Sequence, residues 1–244
     1  MAVYPSKLVK KSTIANGTME FQFEKPEGFV HRAGQYIDLE LINPPDTDAE
    51  GNMRSFSLVS APHEPHLAIA TRIRDTAFKR VLSTGVVGMP VTIHGPYGSF
   101  SLHNDTTKPA VFLAGGIGVT PFMSIIRDVL HRSLRTHLFV FYPNRTPKHA
   151  PFVSELQEAD AASEEITLVA TITSPESSAE PWTGARGYIT KKMIQTYVTD
   201  MTQAIYYLAG SPDMVAAMRI IVSEAGVNDD NIKTEEFAGY EIKK

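Results

Sequence analysis

The 244 residues are 43% hydrophobic and 20% charged, with a formal net charge of −4, the composition of a globular chain long enough for one large or two medium domains. Disordered, collagen-like and low-complexity classes are excluded, and dispersed, mildly acidic charge gives no footprint for nucleic acid. Cysteine is absent, which removes disulfides, cysteine-ligated zinc, iron–sulfur clusters and thiolate catalysis, so any redox chemistry needs a bound organic cofactor.

The opening MAVYPSKLVKK lacks an apolar h-region, so no secretory signal is expected. The first hundred residues then read as short strands: Met19 to Phe23, Tyr36 to Leu41, Ser55 to Ser60, His66 to Ile73 and Pro90 to His94, with turn residues between them. Many strands at short spacing predict an antiparallel barrel. One helix is expected near Thr76, where Phe78, Val81 and Leu82 share a face.

Beyond the polar stretch His103 to Pro109 the period changes. Val111 to Ala114 is an apolar strand, and Phe122, Ile125, Ile126, Val129 and Leu130 recur at helical spacing. Strands at Leu138 to Tyr142, Ile166 to Ile172 and Ala204 to Ala209 alternate with helices near Phe152 to Ala159, around Met193 to Val198, and from Pro212, the last closed by Gly226. PWTGARGY, with Trp182, reads as a loop closing onto the sheet. The alternation predicts a parallel sheet covered on both faces, hence a β plus α/β chain divided into residues 1–104 and 105–244. The weakly polar run Ala110 to Ile126 is broken by Gly115, Gly116, Gly118, Thr120 and Pro121 and falls short of about 20 residues, so membrane insertion is not expected and the protein is expected in the cytoplasm.

AGGIGVTP, Ala114 to Pro121, lies between an apolar strand and an amphipathic helix, where backbone N–H groups and a helix N-terminus suit a pyrophosphate. Gly116 and Gly118 match two glycines of a dinucleotide fingerprint, with Pro121 where the third would stand. Taken alone, a glycine-rich turn after a strand is more often structural. At the end of the next strand Arg145, in FYPNR, takes the place of the usual acidic ribose ligand; it would suit a 2′-phosphate and hence NADPH, or be a solvated surface arginine. RSFS, Arg54 to Ser57, reads on its own as a half-buried strand, and GPYGSF, Gly95 to Phe100, as a tight turn. The eight histidines are scattered without ligand spacing, so no metal site is expected, and no G-x-S-x-G anchors a hydrolase triad.

Taken in order, RSFS, GPYGSF, GGIGVTP, FYPNR, YLAGSPDM and the near-terminal EEFAGY resemble the ferredoxin–NADP reductase superfamily of flavin-dependent, pyridine-nucleotide-linked oxidoreductases, across nearly the whole chain. The resemblance implies an N-terminal Greek-key FAD-binding barrel and a C-terminal Rossmann-like NAD(P)-binding domain. It implies that Arg54 pairs with the flavin pyrophosphate, Phe56 packs beside the flavin and Ser57 lies near flavin N5, with Phe replacing the commoner Tyr. Arg72 and Arg74 would face the flavin diphosphate, and either Thr76 with the helix N-terminus or Lys79 would hold a phosphate. Gly115, Gly116, Gly118, Thr120 and Pro121, with Gly210 and Met214 in YLAGSPDM, would seat NADP or NAD beside the flavin. Ala209 stands where the family has cysteine, Ser211 is inserted before Pro212, and Pro143 interrupts the FYPNR match. Glu235, Glu236 and Phe237 resemble an acidic and aromatic pair at the flavin, with Glu236 tuning protonation and Phe237 covering the ring; as plain sequence, KTEEFAGY is equally a last strand with a core phenylalanine.

The implied function is hydride transfer from NAD(P)H to FAD, then electron transfer to a separate acceptor: a ferredoxin, a flavodoxin, an oxygenase component or a small oxidant. Without cysteine, this sequence supplies no plant-type [2Fe–2S] module of its own. A free flavin or ferric reductase and a non-catalytic nucleotide-sensing module are the competing readings.

Overall fold

The computed structural model describes residues 2–177 and 181–237. Its first half is antiparallel: β1 (Val3–Ala15), β2 (Thr18–Glu24), β3 (Tyr36–Leu41), β4 (Met53–Ser57), β5 (His66–Arg72), the helix α1 (Ala77–Thr84) and β6 (Pro90–Tyr97). The strands run in the order β4-β3-β6-β1-β2-β5. The two edges meet at a bridge between Leu58 and Ile69, which rolls the sheet into a barrel. Leu8, Phe21, Phe23, Ile37, Leu39 and Phe78 fill it with no more than 1% exposure, so these side chains, at about 1.5–3 kcal/mol each, hold the barrel together.

Most strand ends shift by one to three residues from the sequence reading, and two differences are larger in consequence. The thirteen-residue β1 was not expected, because among its residues only Leu8 is fully buried and its lysines blur the alternation. The strand expected over Ser55 to Ser60 starts and ends earlier, at Met53 and Ser57. The helix near Thr76 forms as expected: Thr76 is its N-cap, its side chain accepting from Lys79 N, and Ala77, Phe78, Val81 and Leu82 are buried.

The second half contains β7 (Ala110–Ala114), α2 (Thr120–Arg132), β8 (Leu138–Asn144), α3 (Val153–Ala162), β9 (Ile166–Ile172), β10 (Ala185–Arg186), α4 (Lys191–Tyr197), β11 (Ile205–Gly210), α5 (Pro212–Ser223) and β12 (Ile232–Glu236). These strands form a parallel sheet in the order β10-β9-β8-β7-β11-β12. The PWTGARGY loop does close onto the sheet, through β10 and a 2.8 Å bond from Trp182 Nε1 to Ala185 O. The last helix ends before Gly226, at Ser223, and Gly226 instead makes the following turn with φ +86°. Of the expected final strand, Ala238 to Tyr240 lie outside the described residues.

Two apolar layers cover the parallel sheet. One, with α4 and α5, contains Ile194, Val215, Met218 and Val222. The other, with α2 and α3, extends into the barrel: Phe122 stacks on Phe112 at 4.5 Å and meets Phe100 of the barrel side at 5.7 Å. Polar ties reinforce this seam. Ser124 Oγ donates to Ser60 O at 2.7 Å, and Arg127 donates to both Glu155 carboxylate oxygens and to Val59 O. Among the described residues no helix is long and apolar enough to cross a membrane, and no group of three or more metal-ligating side chains converges.

Candidate functional site

The chain leaves β7 toward β8 on one side and returns to β11 on the other, so the C-terminal ends of β7 and β11 flank the switch point of the sheet, where open α/β sheets bind ligands. The two ends are in backbone contact, Gly115 N donating to Ala209 O at 2.9 Å. A Cβ on Gly118 would lie 2.1 Å from Ala209 O, so only glycine fits there. Gly116 adopts φ +55°, and a Cβ on it would lie 2.6 Å from Arg72 Nη2, so Arg72 of the barrel rests on the glycine loop. Gly210 packs on Gly115 under the Met214 sulfur, while the inserted Ser211 caps α5 by accepting from Met214 N. Thr120 and Pro121 open α2, and both are buried.

Facing this loop, a cavity of about 300 Å³ is lined by Ser55, Phe56, Ser57, Ala70, Ile117, Thr120, Glu236 and Phe237. Five of the expected site residues therefore converge on one space, contributed by both sheets. Phe56 is half-buried, its ring 5.8 Å from that of Phe78. Phe237 is positioned by its N–H donating to Gly210 O at 2.9 Å.

The carboxylate tied to Ser57 is Glu235, while Glu236 is the residue to which the resemblance gives the protonation role. Register places Glu235 opposite Ala209 on β11, and Ser57 Oγ donates to Glu235 Oε1 at 2.9 Å. Glu236, one residue on, points to the other side, is exposed, and lines the cavity directly. Burial pushes the Glu235 carboxyl up to about 7, the Ser57 hydrogen bond opposing it. Its Oε2 is buried with no hydrogen-bond partner among the described residues. Glu235 also lines a second cavity of about 360 Å³, with Tyr36, Gly98, Phe100 and Lys233. Alternation along β12 was the signal that separates the two glutamates.

The remaining candidates form other groups. Arg54, Thr76 and Lys79 gather at the N-terminus of α1. Arg54, 19% exposed, donates through Nη1 to the carbonyls of Glu50, Gly51 and Met53, and through Nη2 to Asp48 Oδ1 at 3.0 Å and Glu50 Oε2 at 2.9 Å. Its guanidinium lies 5.3 Å from the centre of the Phe78 ring. Asp48 Oδ2 accepts from Ala77 N at 3.1 Å, the first N–H of the helix. Sequence reasoning missed Asp48, whose loop carries no motif. Arg74 is half-buried between β5 and α1. Arg145 is exposed at the end of β8. His149 is held below its usual range by burial and then by the charges of Arg145 and Arg72.

An antiparallel barrel is joined to a parallel sheet, with the cleft between them at the switch point. The description Oxidoreductase NAD-binding domain matches residues 112–219. The glycine betaine monooxygenase reductase subunit of Chromohalobacter salexigens is 28% identical over 223 residues, 90% of this chain and 60% of the relative. Ferredoxin–NADP reductase B of Sorangium cellulosum is 28% identical over 214 residues, 86% of this chain and 82% of the relative. The crystal structure of a ferredoxin–NADP reductase from Neisseria gonorrhoeae with bound FAD and NADP superposes with a TM-score of 0.79 at 18% identity, covering 97% of this chain and 99% of that one. The chain is similar to these reductases, and it spans about 60% of the length of the first curated relative.

Proposed function

We propose that the protein is an NAD(P)H-dependent flavoprotein reductase that binds FAD on residues 1–104 and NADP or NAD on residues 105–244, and delivers electrons to a separate acceptor such as an oxygenase component or a ferredoxin. The observation that carries this reading is the Ser57–Glu235 pair beside a cavity lined from both sheets and facing the glycine loop. The residues suit a flavin: Phe56 and Phe237 offer aromatic surface, Ser57 a hydroxyl, and Glu235 Oε2 a buried oxygen without a hydrogen-bond partner among the described residues.

When bound, a flavin takes two electrons from NAD(P)H and releases them one at a time. The chain's own part is positioning and proton handling. Gly116 and Gly118 let the loop backbone approach a pyrophosphate at the start of α2, and Arg72 and Arg145 add positive charge nearby. Arg54 and the N-terminus of α1 would hold the flavin phosphates, with Thr76 and Lys79 at the same helix end. Glu235 accepts the Ser57 hydroxyl's hydrogen bond and, poised near neutral pH, takes up or releases a proton at its carboxyl beside the cavity. Phe237 shields the cavity from water. None of these steps requires a thiol, so Ala209 is compatible with turnover. NAD(P)H as donor fits a cytoplasmic reaction.

The test is to saturate the protein with FAD and titrate it anaerobically with NADPH and with NADH. The expected result is loss of the flavin's visible absorption at one equivalent of nucleotide. Failure to bind FAD, or bound FAD that neither nucleotide bleaches, overturns the reading; the latter result would favour a nucleotide-sensing module.

A further inference from the structure

The loop between β3 and β4, Ile42 to Asn52, carries Asp46, Asp48 and Glu50. Asp48 joins the two elements proposed to hold the flavin phosphates: one carboxylate oxygen accepts from Arg54 Nη2 and from Glu50 N, the other from Ala77 N at the head of α1. A carboxylate accepting from a guanidinium and a helix N–H has the donors that a phosphate would use. Glu50 takes a second contact on Nη2, and Nη1 is engaged by three carbonyls, so both terminal nitrogens of Arg54 are occupied from within the chain. Asp46 fastens the same loop to α1 through two bonds from Arg80, at 3.0 and 2.6 Å. Arg80 also pairs with Asp75.

A phosphate brought to Arg54 with the loop in this position would meet two carboxylates sharing its cation. Like charges at that range repel, so the carboxylates and the phosphate exclude one another.

We propose that Asp48 is a built-in competitor for the flavin phosphate: it fills the cradle of Arg54 and the α1 N-terminus in the flavin-free protein, leaves it when the cofactor binds, and thereby makes FAD an exchangeable ligand. The proposal rests on the assignment of that cradle to the flavin. It predicts that the competition acts only on phosphate-bearing flavins, and it gives the free-flavin reductase reading its structural basis.

The experiment is an equilibrium titration of flavin-free protein with FAD and with riboflavin, followed by flavin fluorescence, for the wild type, Asp48→Asn and Arg54→Ala. Asparagine keeps an oxygen for Ala77 N–H but removes the charge. Asp48→Asn is expected to bind FAD about tenfold more tightly, with riboflavin affinity unchanged, while Arg54→Ala weakens FAD. If Asp48→Asn leaves FAD binding unchanged or weaker while Arg54→Ala weakens it, the competitor is overturned and the cradle stands. If Arg54→Ala binds FAD as the wild type does, the cradle assignment itself falls. Thermal unfolding separates a competitor from a brace: Asp48→Asn should lower Tm only in the flavin-free protein, and an equal loss with FAD saturating overturns the proposal. Should Asp48→Asn fail to fold, Asp46→Asn loosens the loop from Arg80 without touching Arg54. Severalfold tighter FAD is then expected, and unchanged FAD affinity contradicts the proposal.

Discussion

Gly118 in the glycine loop and Arg54 in the barrel are held in place by different physics. The loop is fixed by backbone against backbone, with Ala209 O where a Cβ would have to go. Arg54 is fixed by two loop carboxylates and three backbone carbonyls. The first arrangement is rigid and admits one residue type. The second is a set of charges open to rearrangement, which is what a site that must exchange one anion for another requires.

The largest expected effect breaks the rigid end. Gly118→Ala should destabilise the protein by about 3 kcal/mol or more, because neither Ala209 O nor the loop can yield without disturbing the sheet. Urea unfolding checks this, and a midpoint close to wild type would mean the loop is softer than its packing indicates.

The seam between the regions comes next. With its carboxyl pushed up to about 7, Glu235 binds more protons in the folded than in the unfolded state between its ordinary value and that point. Stability therefore falls as pH rises through this window, and the cost is complete above it. Glu235→Gln should accordingly be more stable than the wild type by about 1–3 kcal/mol at about pH 8.5, and no more stable at about pH 4. Paired thermal melts at the two pH values read this, and a pH-independent difference would contradict the burial account.

Arg145→Ala sharpens the nucleotide end. KM for NADPH should rise about tenfold with KM for NADH little changed, since only the former carries a 2′-phosphate. Equal effects on both would remove the phosphate role. The smallest effect lies at the soft end: Thr76→Ala should cost about 0.5–1 kcal/mol, because Asp48 already satisfies Ala77 N–H and the Thr76 contact to Lys79 N is long, at 3.4 Å.

The same contrast governs what the sequence discloses. Glycines forced by close approach stand out in AGGIGVTP, and the apolar runs of β7 to β9 are legible because both their faces are buried. β1 was not legible, since a strand with one fully buried residue lacks a period. Ser57 and Arg54 were found through family resemblance, while alternation along β12, which separates Glu235 from Glu236, needed the register with β11 to show which one meets Ser57. Asp48 was invisible because a loop carboxylate acquires meaning only through what it touches.

The most direct measurement is single-turnover mixing of FAD-saturated protein with NADPH under anaerobic conditions, using nucleotide with and without deuterium at the transferable position. The account predicts rapid bleaching of the flavin that slows with deuterium, as direct transfer within the cleft demands. Flavin absorption that persists after mixing would contradict it.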